Sequence, residues 1–262
     1  MADNNNSHSV PQFPSTTIGL LVPTSLDQFA PQSAMNAYQL LQNLGFTVYY
    51  PQEMASTGME LYNQGDYEGA KVLGETMIES FDKCRYIVSL SSATVVYIQQ
   101  HFPKLFHNTT FHNDYRQFID RCFDLTDFLA NIANLSDIAI PEFPHKVTIL
   151  DHCTTLRDYT SLAHPGIKGL RNEPRQILSM VPGLQLVEMP QQNVCCGYGG
   201  SFANNFTTIS DSLAQRKVDN ALLAGAEVIT STEPACLLHL ESYIKKRDIK
   251  LEIRMIGDFL IG

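Results

Sequence analysis

The chain has 262 residues, 44% of them hydrophobic and 17% charged, with a formal net charge of −9 at neutral pH. That is length for one large domain or two small ones, and the acidic balance argues against nucleic acid or an anionic membrane as the main partner. No apolar run reaches the roughly 18 residues of a membrane span, and the polar start MADNNNSHSVPQFPSTT lacks the apolar core of a signal peptide. The expected setting is cytoplasmic, where thiols stay reduced and clustered cysteines bind metal or do redox chemistry more often than they staple a fold.

Residues 1–16 read as a disordered tail. TIGLLVPTSLDQ (17–28) then reads as an apolar strand ending in a polar turn, and PQSAMNAYQLLQNLG (31–45) as a helix stopped by glycine. GFTVYYPQEMASTG (45–58) is an alternating strand followed by proline and a small-residue turn. DYEGAKVLGETMIESFDKC (66–84) is an amphipathic helix leading into the strand RYIVSL (85–90). The two-proline segment SDIAIPEFPHK (136–146) is the best boundary.

Beyond it the pattern starts again. VTILDHCTTLRD (147–158) resembles 17–28 and sets Cys153 opposite Thr24. GLQLVEMPQQNVCCG (183–197) resembles 45–58 and sets Cys195-Cys196-Gly197 opposite Ser56-Thr57-Gly58. ISDSLAQRKVDNALLAGA (209–226) is a helix leading into AEVITS, and VITSTEPAC (228–236) matches YIVSLSSAT (86–94), with Glu233 opposite Ser91 and Cys236 opposite Thr94. IGDFLIG (256–262) matches LTDFLANI (125–132). Four matches in one order imply a duplicated unit. Strand–helix alternation predicts an α/β fold of two tandem Rossmann-like parallel-sheet repeats, 17–140 and 141–262, with ligands at the carboxyl ends of the strands.

Four of the six cysteines, Cys153, Cys195, Cys196 and Cys236, follow predicted strands of the second repeat. Their separations are too long for a zinc finger or ribbon but suit one strand–helix crossover between ligands. Adjacent cysteines make a poor chelate of one tetrahedral ion, whereas two irons of a cluster accept divergent side chains. Gly197, Gly199 and Gly200 let backbone N–H groups approach, as they do around phosphates and iron–sulfur sites. GYGGSF matches neither the dinucleotide fingerprint nor a P-loop. A strained vicinal disulfide and unliganded buried cysteines remain as alternatives to a metal or cluster.

At these residues the sequence resembles the CCG-domain (cysteine-rich domain) iron–sulfur oxidoreductase family. The family's pattern is a Cys, then CCG, then C-x-x-C, usually in two tandem copies. The CCG-bearing component of heterodisulfide reductase and the iron–sulfur subunits of glycolate and glycerol-3-phosphate oxidoreductases belong to it. CCGYGGSFANNF, GAEVITSTEPACLLHL and LYNQGD look most like its lactate-utilization branch, and the resemblance covers about 17–260. It implies cysteine-bound iron–sulfur clusters and electron transfer between a partner oxidoreductase and a further acceptor. For the lactate branch it implies L-lactate oxidation in a multi-subunit cytoplasmic complex.

Carried over residue by residue, the resemblance makes Cys153, Cys195, Cys196 and Cys236 metal ligands, with Gly197 closing the motif. In the first copy Thr24, Ser56, Thr57, Ser91 and Thr94 stand where the family has cysteines, and hydroxyls suit soft iron–sulfide sites badly. Glu233 replaces the first cysteine of C-x-x-C. Four thiols suffice for one 4Fe-4S cluster and fall one short of a five-thiolate non-cubane site. The expected function is an iron–sulfur electron-transfer subunit of a 2-hydroxyacid (lactate-type) oxidation complex, with the other subunits as partners. The alternative is a zinc-bound or metal-free structural or regulatory paralogue acting as a scaffold. A thiol–disulfide enzyme using Cys195 and Cys196 is a third reading.

His152, after Asp151, is a ligand or proton carrier beside Cys153, or simply a polar strand end. His239 faces the site one helical turn after Cys236, or is a partly exposed helix histidine. Glu233 ligates a hard metal or caps the helix starting near Pro234. Tyr198 shields the site or lines the core. Cys84 and Cys122 are expected on helices as buried structural thiols. His101, His107 and His112 lack ligand spacing. No general acid/base pair or Ser-His-Asp set is recognisable, so carbon or hydride chemistry falls to a partner.

Overall fold

The computed structural model describes residues 16–51, 56–160 and 171–261. The expected tail, 1–16, lies outside them but for Thr16. The first half runs β1 (Thr17–Leu21), α1 (Thr24–Phe29), α2 (Pro31–Asn43), β2 (Thr47–Tyr49), α3 (Met59–Gln64), α4 (Tyr67–Ser80) and β3 (Tyr86–Ser89). It continues with α5 (Ser92–Phe106), α6 (His112–Asp120), β4 (Cys122–Asp124) and α7 (Leu125–Asn131). The second half runs β5 (Lys146–Ile149), α8 (Cys153–Asp158), α9 (Glu173–Ser179), β6 (Gln185–Leu186), α10 (Ser201–Asn205) and α11 (Thr207–Leu223). β7 (Val228–Thr230), α12 (Pro234–Lys246), β8 (Glu252–Ile253) and a 3-10 turn at Ile256–Phe259 complete it.

The two halves have one topology. Their parallel sheets are ordered β2-β1-β3-β4 and β6-β5-β7-β8. The expected duplicated α/β fold is borne out. In each sheet an inner strand is buried without alternation, TIGLL throughout and VIT throughout, as parallel strands covered on both faces require. Helix starts follow local chemistry. Pro31 opens α2, and Asp66, Ser91 and Asp124 accept backbone N–H groups at the starts of α4, α5 and α7.

One apolar cluster joins the sheets, with Ile18, Leu20 and Val88 from the first and Val147, Ile149 and Val228 from the second. The halves dock reciprocally. α7 packs on α9, and the Ile256–Phe259 turn packs on α2. The matched aspartates make the polar links: Asp127 accepts from Tyr159 (3.1 Å), while Asp258 accepts from Ser33 (2.6 Å) and Asn36 (2.9 Å). Beside them a cavity of about 30 Å³ is lined by residues such as Ser89, Asp124, Ser231 and Pro234.

Cys84 and Cys122 are buried, as expected, but neither lies on a helix. Cys122 opens β4, and Cys84 follows the turn that ends α4. Burial pushes the Cys84 thiol up to about 11. Among the described residues no helix is long and apolar enough to cross a membrane.

Candidate metal-thiolate site

Three segments at the carboxyl ends of β5, β6 and β7 bring the four cysteines together. Cys153 is the first residue of α8, and Cys236 is the third residue of α12. Cys195 and Cys196 lie on the loop between β6 and α10, several residues past the strand rather than directly after it. All four are free thiols; Cys196 and Cys236 are buried and the other two half-buried. Cys196 donates to Cys236 at 2.8 Å, and Cys195 lies near both Cys153 and Cys196. Around them pack Leu150, Met189, Val218, Ile229 and Leu237.

The backbone turns toward the sulfurs. Gly197 N–H donates to Cys195 Sγ (3.4 Å). Gly197 has φ +93°, and a Cβ there would lie 2.5 Å from the carbonyl oxygen of Ser210 on α11. The first repeat keeps this construction without the thiols. Gly58 N–H donates to Ser56 Oγ (3.2 Å), φ is +83°, and a Cβ would meet the Ala70 carbonyl of α4 at 2.9 Å. Thr24 opens α1 as Cys153 opens α8, and Thr94 is third in α5 as Cys236 is third in α12. The duplicated frame is retained; the donors are exchanged.

Three of the thiols, Cys153, Cys196 and Cys236, are held protonated. The Cys153 thiol is pushed up by the hydrogen bond it gives Cys195, and further by burial. For Cys196 the bond from Cys195 pulls down, but the bond to Cys236 and burial outweigh it. Cys236 is likewise raised: the bond from Cys196 lowers it, but burial and the neighbouring Glu233 carboxylate prevail.

Other candidates sort cleanly. Glu233 is 4% exposed and caps α12, with Oε1 accepting from Ala235 N–H (3.3 Å). Its Oε2 accepts from Ser91 Oγ (2.6 Å) and Ala93 N–H (3.1 Å) of the first repeat. His239 Nε2 sits 3.3 Å from Ser210 Oγ, which donates to the Gly197 carbonyl (2.8 Å), and its ring lies 6.1 Å from that of Tyr198, so it reaches the loop through these two residues. Burial lowers its pKa. His152 occupies the N-cap position of α8, and its Nδ1 is buried without a hydrogen bond. Tyr198 is 36% exposed, at the rim rather than in the core.

Two charged groups stand outside every sequence motif. Arg175 holds Asp151 in a forked pair (2.8 and 3.2 Å) and also holds Glu188 (2.7 and 2.9 Å), fastening the end of β5 to the loop after β6. Lys217, on α11, is fully buried and donates to the carbonyls of Gln191 (3.2 Å) and Gln192 (2.9 Å).

The donor set fits a soft centre: four neighbouring sulfurs, a backbone N–H on one of them, and a helix start under Cys153 and under Cys236. They are paired with one another rather than gathered about a point. Among the described residues no three His, Cys, Asp or Glu stand together as a metal site. Loading therefore requires these thiols to lose protons and turn to a shared ion, as thiolate ligation generally does.

Residues 147–241 match the model of the cysteine-rich domain family. Over 93% of its length the chain is similar to lactate utilization protein A of Bacillus subtilis (strain 168), at 29% identity and covering 98% of that protein. Lactate utilization protein A 1 of Bacillus cereus (strain AH820) is 27% identical, over 93% of this chain and 98% of that one. Lactate utilization protein A of Halalkalibacterium halodurans is 25% identical, over 93% and 96%. Among solved structures, an aspartate racemase homologue from Pyrococcus horikoshii OT3 aligns over 94% of this chain and 95% of that one, at 12% identity and a TM-score of 0.35.

Proposed function

We propose that this chain is a cytoplasmic electron-transfer subunit of a lactate-type 2-hydroxyacid oxidation complex. On this reading its repeats are units 17–140 and 141–262, and one iron–sulfur centre is held by Cys153, Cys195, Cys196 and Cys236. The observation that carries the proposal is the convergence of four thiols from three loops at one end of the second sheet, with Cys196 and Cys236 in direct contact. The names of the relatives supply the substrate class.

When bound, such a centre supplies one-electron chemistry. The chain's own residues do the rest. The cysteines would ligate it, Gly197 would direct its N–H at sulfur and so tune the potential, and the apolar packing would keep water from the buried pair. The first repeat, with Thr24, Ser56, Thr57 and Thr94 at the matching places, serves as a docking body without a centre of its own.

The test is iron, acid-labile sulfide and zinc per chain in protein purified without oxygen, with the visible and EPR spectra of the reduced form. About four irons and four sulfides are expected for a single 4Fe-4S cluster. One zinc per chain, or no metal at all, would overturn electron transfer and leave a scaffold.

A further inference from the structure

We propose that Arg175 is the positioning residue of the four-cysteine site, the group that sets the span between Cys153 and the Cys195–Cys196 pair; the role rests on the metal-thiolate reading above. β6 is short, and its pairing with β5 ends at Val147 and Leu186. Among the described residues, the last backbone bond between these two segments runs from Val187 N–H to the Val147 carbonyl (2.9 Å). Cys153 and the cysteine pair all lie beyond that point, so the ladder does not fix their separation. A binding constellation has to be held to within about 0.5 Å, which calls for support from side chains.

The Arg175 guanidinium supplies it. From α9 it grips Asp151 (2.8 and 3.2 Å), two residues before Cys153, and Glu188 (2.7 and 2.9 Å), on the segment that leads to the pair. Glu188 Oε2 also accepts from Gln192 Nε2 (3.0 Å), and Val194 N–H closes the turn on the Gln191 carbonyl (3.1 Å) immediately before Cys195. Lys217 of α11 holds the Gln191 and Gln192 carbonyls from the other side. The loop is thus pinned to α11 and, through Arg175, to the strand end that carries Cys153. Two carboxylates gripped at once need a planar fork of donors, which arginine has and lysine lacks.

The first repeat provides the comparison. Strand register sets Val22 opposite Asp151 and Tyr50 opposite Glu188, and the buried pairs Leu40-Leu41 and Ile177-Leu178 set Tyr38 opposite Arg175. None of Val22, Tyr38 and Tyr50 can make an ion pair with another. The repeat with thiols has the clamp; the repeat with hydroxyls in their place does not.

The experiment compares wild type, Arg175→Met, Arg175→Lys and Glu188→Gln. Metal-free protein is oxidised briefly with diamide. Mass spectrometry then compares disulfides joining Cys153 to the 195–196 pair with disulfides joining that pair to Cys236. A second sample is titrated with ferrous iron and sulfide without oxygen. In Arg175→Met the first disulfide is expected to fall about tenfold against the second, and cluster affinity by a similar factor. Arg175→Lys is expected to follow Arg175→Met, because a point charge does not hold both carboxylates. Glu188 is half-exposed, so Glu188→Gln breaks one arm of the clamp at little cost to folding. It is expected to shift the same ratio several-fold, and it decides the matter should the Arg175 variants fail to fold. An unchanged disulfide ratio in the folded variants overturns the assignment, as does Arg175→Lys behaving like wild type or an equal loss of both disulfides. Wild-type protein that takes up no iron and sulfide overturns the electron-transfer reading alone, and the disulfide ratio then decides the role of Arg175.

Discussion

Ser91 and Glu233 hold equivalent places in the two repeats, each at the N-cap of the helix after the third strand, and they touch: Ser91 Oγ donates to Glu233 Oε2 at 2.6 Å. The buried carboxylate thus caps α12 through Ala235 and closes the start of α5 through Ala93. Where the family pattern has a cysteine, this chain has a hydrogen-bonded clasp between its halves.

Removing that clasp is expected to be costly. Glu233→Ala loses an N-cap and charge-assisted hydrogen bonds, together about 3 kcal/mol. Glu233→Gln is expected to lose less, since an amide still accepts. Urea unfolding midpoints measure both, and metal content measured alongside separates cap from ligand. If Glu233→Gln folds well but no longer loads metal, the carboxylate is a ligand after all.

Gly197 and Gly58 offer a paired comparison. Each has φ in the left-handed region and a helix carbonyl where a Cβ would go, at 2.5 and 2.9 Å. Alanine at either site is expected to destabilise the fold by about 2 kcal/mol, from the left-handed backbone and the clash together. Only Gly197→Ala is expected to reduce iron uptake, because only its turn carries thiols. Thermal unfolding with iron analysis of both variants tests this, and equal iron loss in the two would disconnect the turn from the site.

The frame is legible in the sequence because parallel strands leave a strong trace: continuous apolar runs such as TIGLL and EVIT, each followed by a polar turn, in the same order twice. The cysteine site is legible for the same reason, since Thr24 and Cys153 fall at matching helix starts. Cys122 defeats a sequence reading because a strand of three residues, Cys122–Asp124, is too short to show alternation, and helices flank it on both sides. Lys217 is equally easy to miss, because a lysine in an amphipathic helix is ordinarily assigned to the wet face. Its position on the Ser210–Ala214–Ala221 stripe is the available signal. The pairing of Asp124 with Arg171 leaves no trace, because their contact is made by tertiary packing alone.

Cysteine substitutions should separate the site from the core. Cys196→Ser replaces a buried soft donor with a hydroxyl, as in the first repeat at Thr57, and is expected to abolish most cluster uptake. Cys84→Ser and Cys122→Ser alter buried thiols outside the motif and are expected to load normally at some loss of stability. The reading is EPR spin intensity per folded chain in the reduced state. A full signal from Cys196→Ser would remove that residue from the ligand set.

The last expectation concerns acid. Asp124, at the start of α7, is ion-paired with buried Arg171, and Arg171 stacks on the Tyr159 ring at 3.9 Å and nears Glu173 at 3.6 Å. Burial pushes the Asp124 carboxyl up, but the Arg171 charge and hydrogen bonds from Arg171, Thr126 and the Asp127 backbone prevail and hold it below its ordinary 3.8. A carboxyl depressed on folding contributes stability that is present above its unfolded value. That stability is lost as pH falls through the folded one, at up to about 1.4 kcal/mol per pH unit. Wild type should therefore lose stability from this pair only below about pH 4. Asp124→Asn leaves Arg171 buried with its main partner neutralised, which costs about 3–5 kcal/mol at neutral pH. It also removes this group's titration, so its stability should fall less steeply between pH 4 and pH 2. Urea midpoints across that range check both parts, and parallel curves for the two proteins would show that the pair contributes nothing to acid sensitivity.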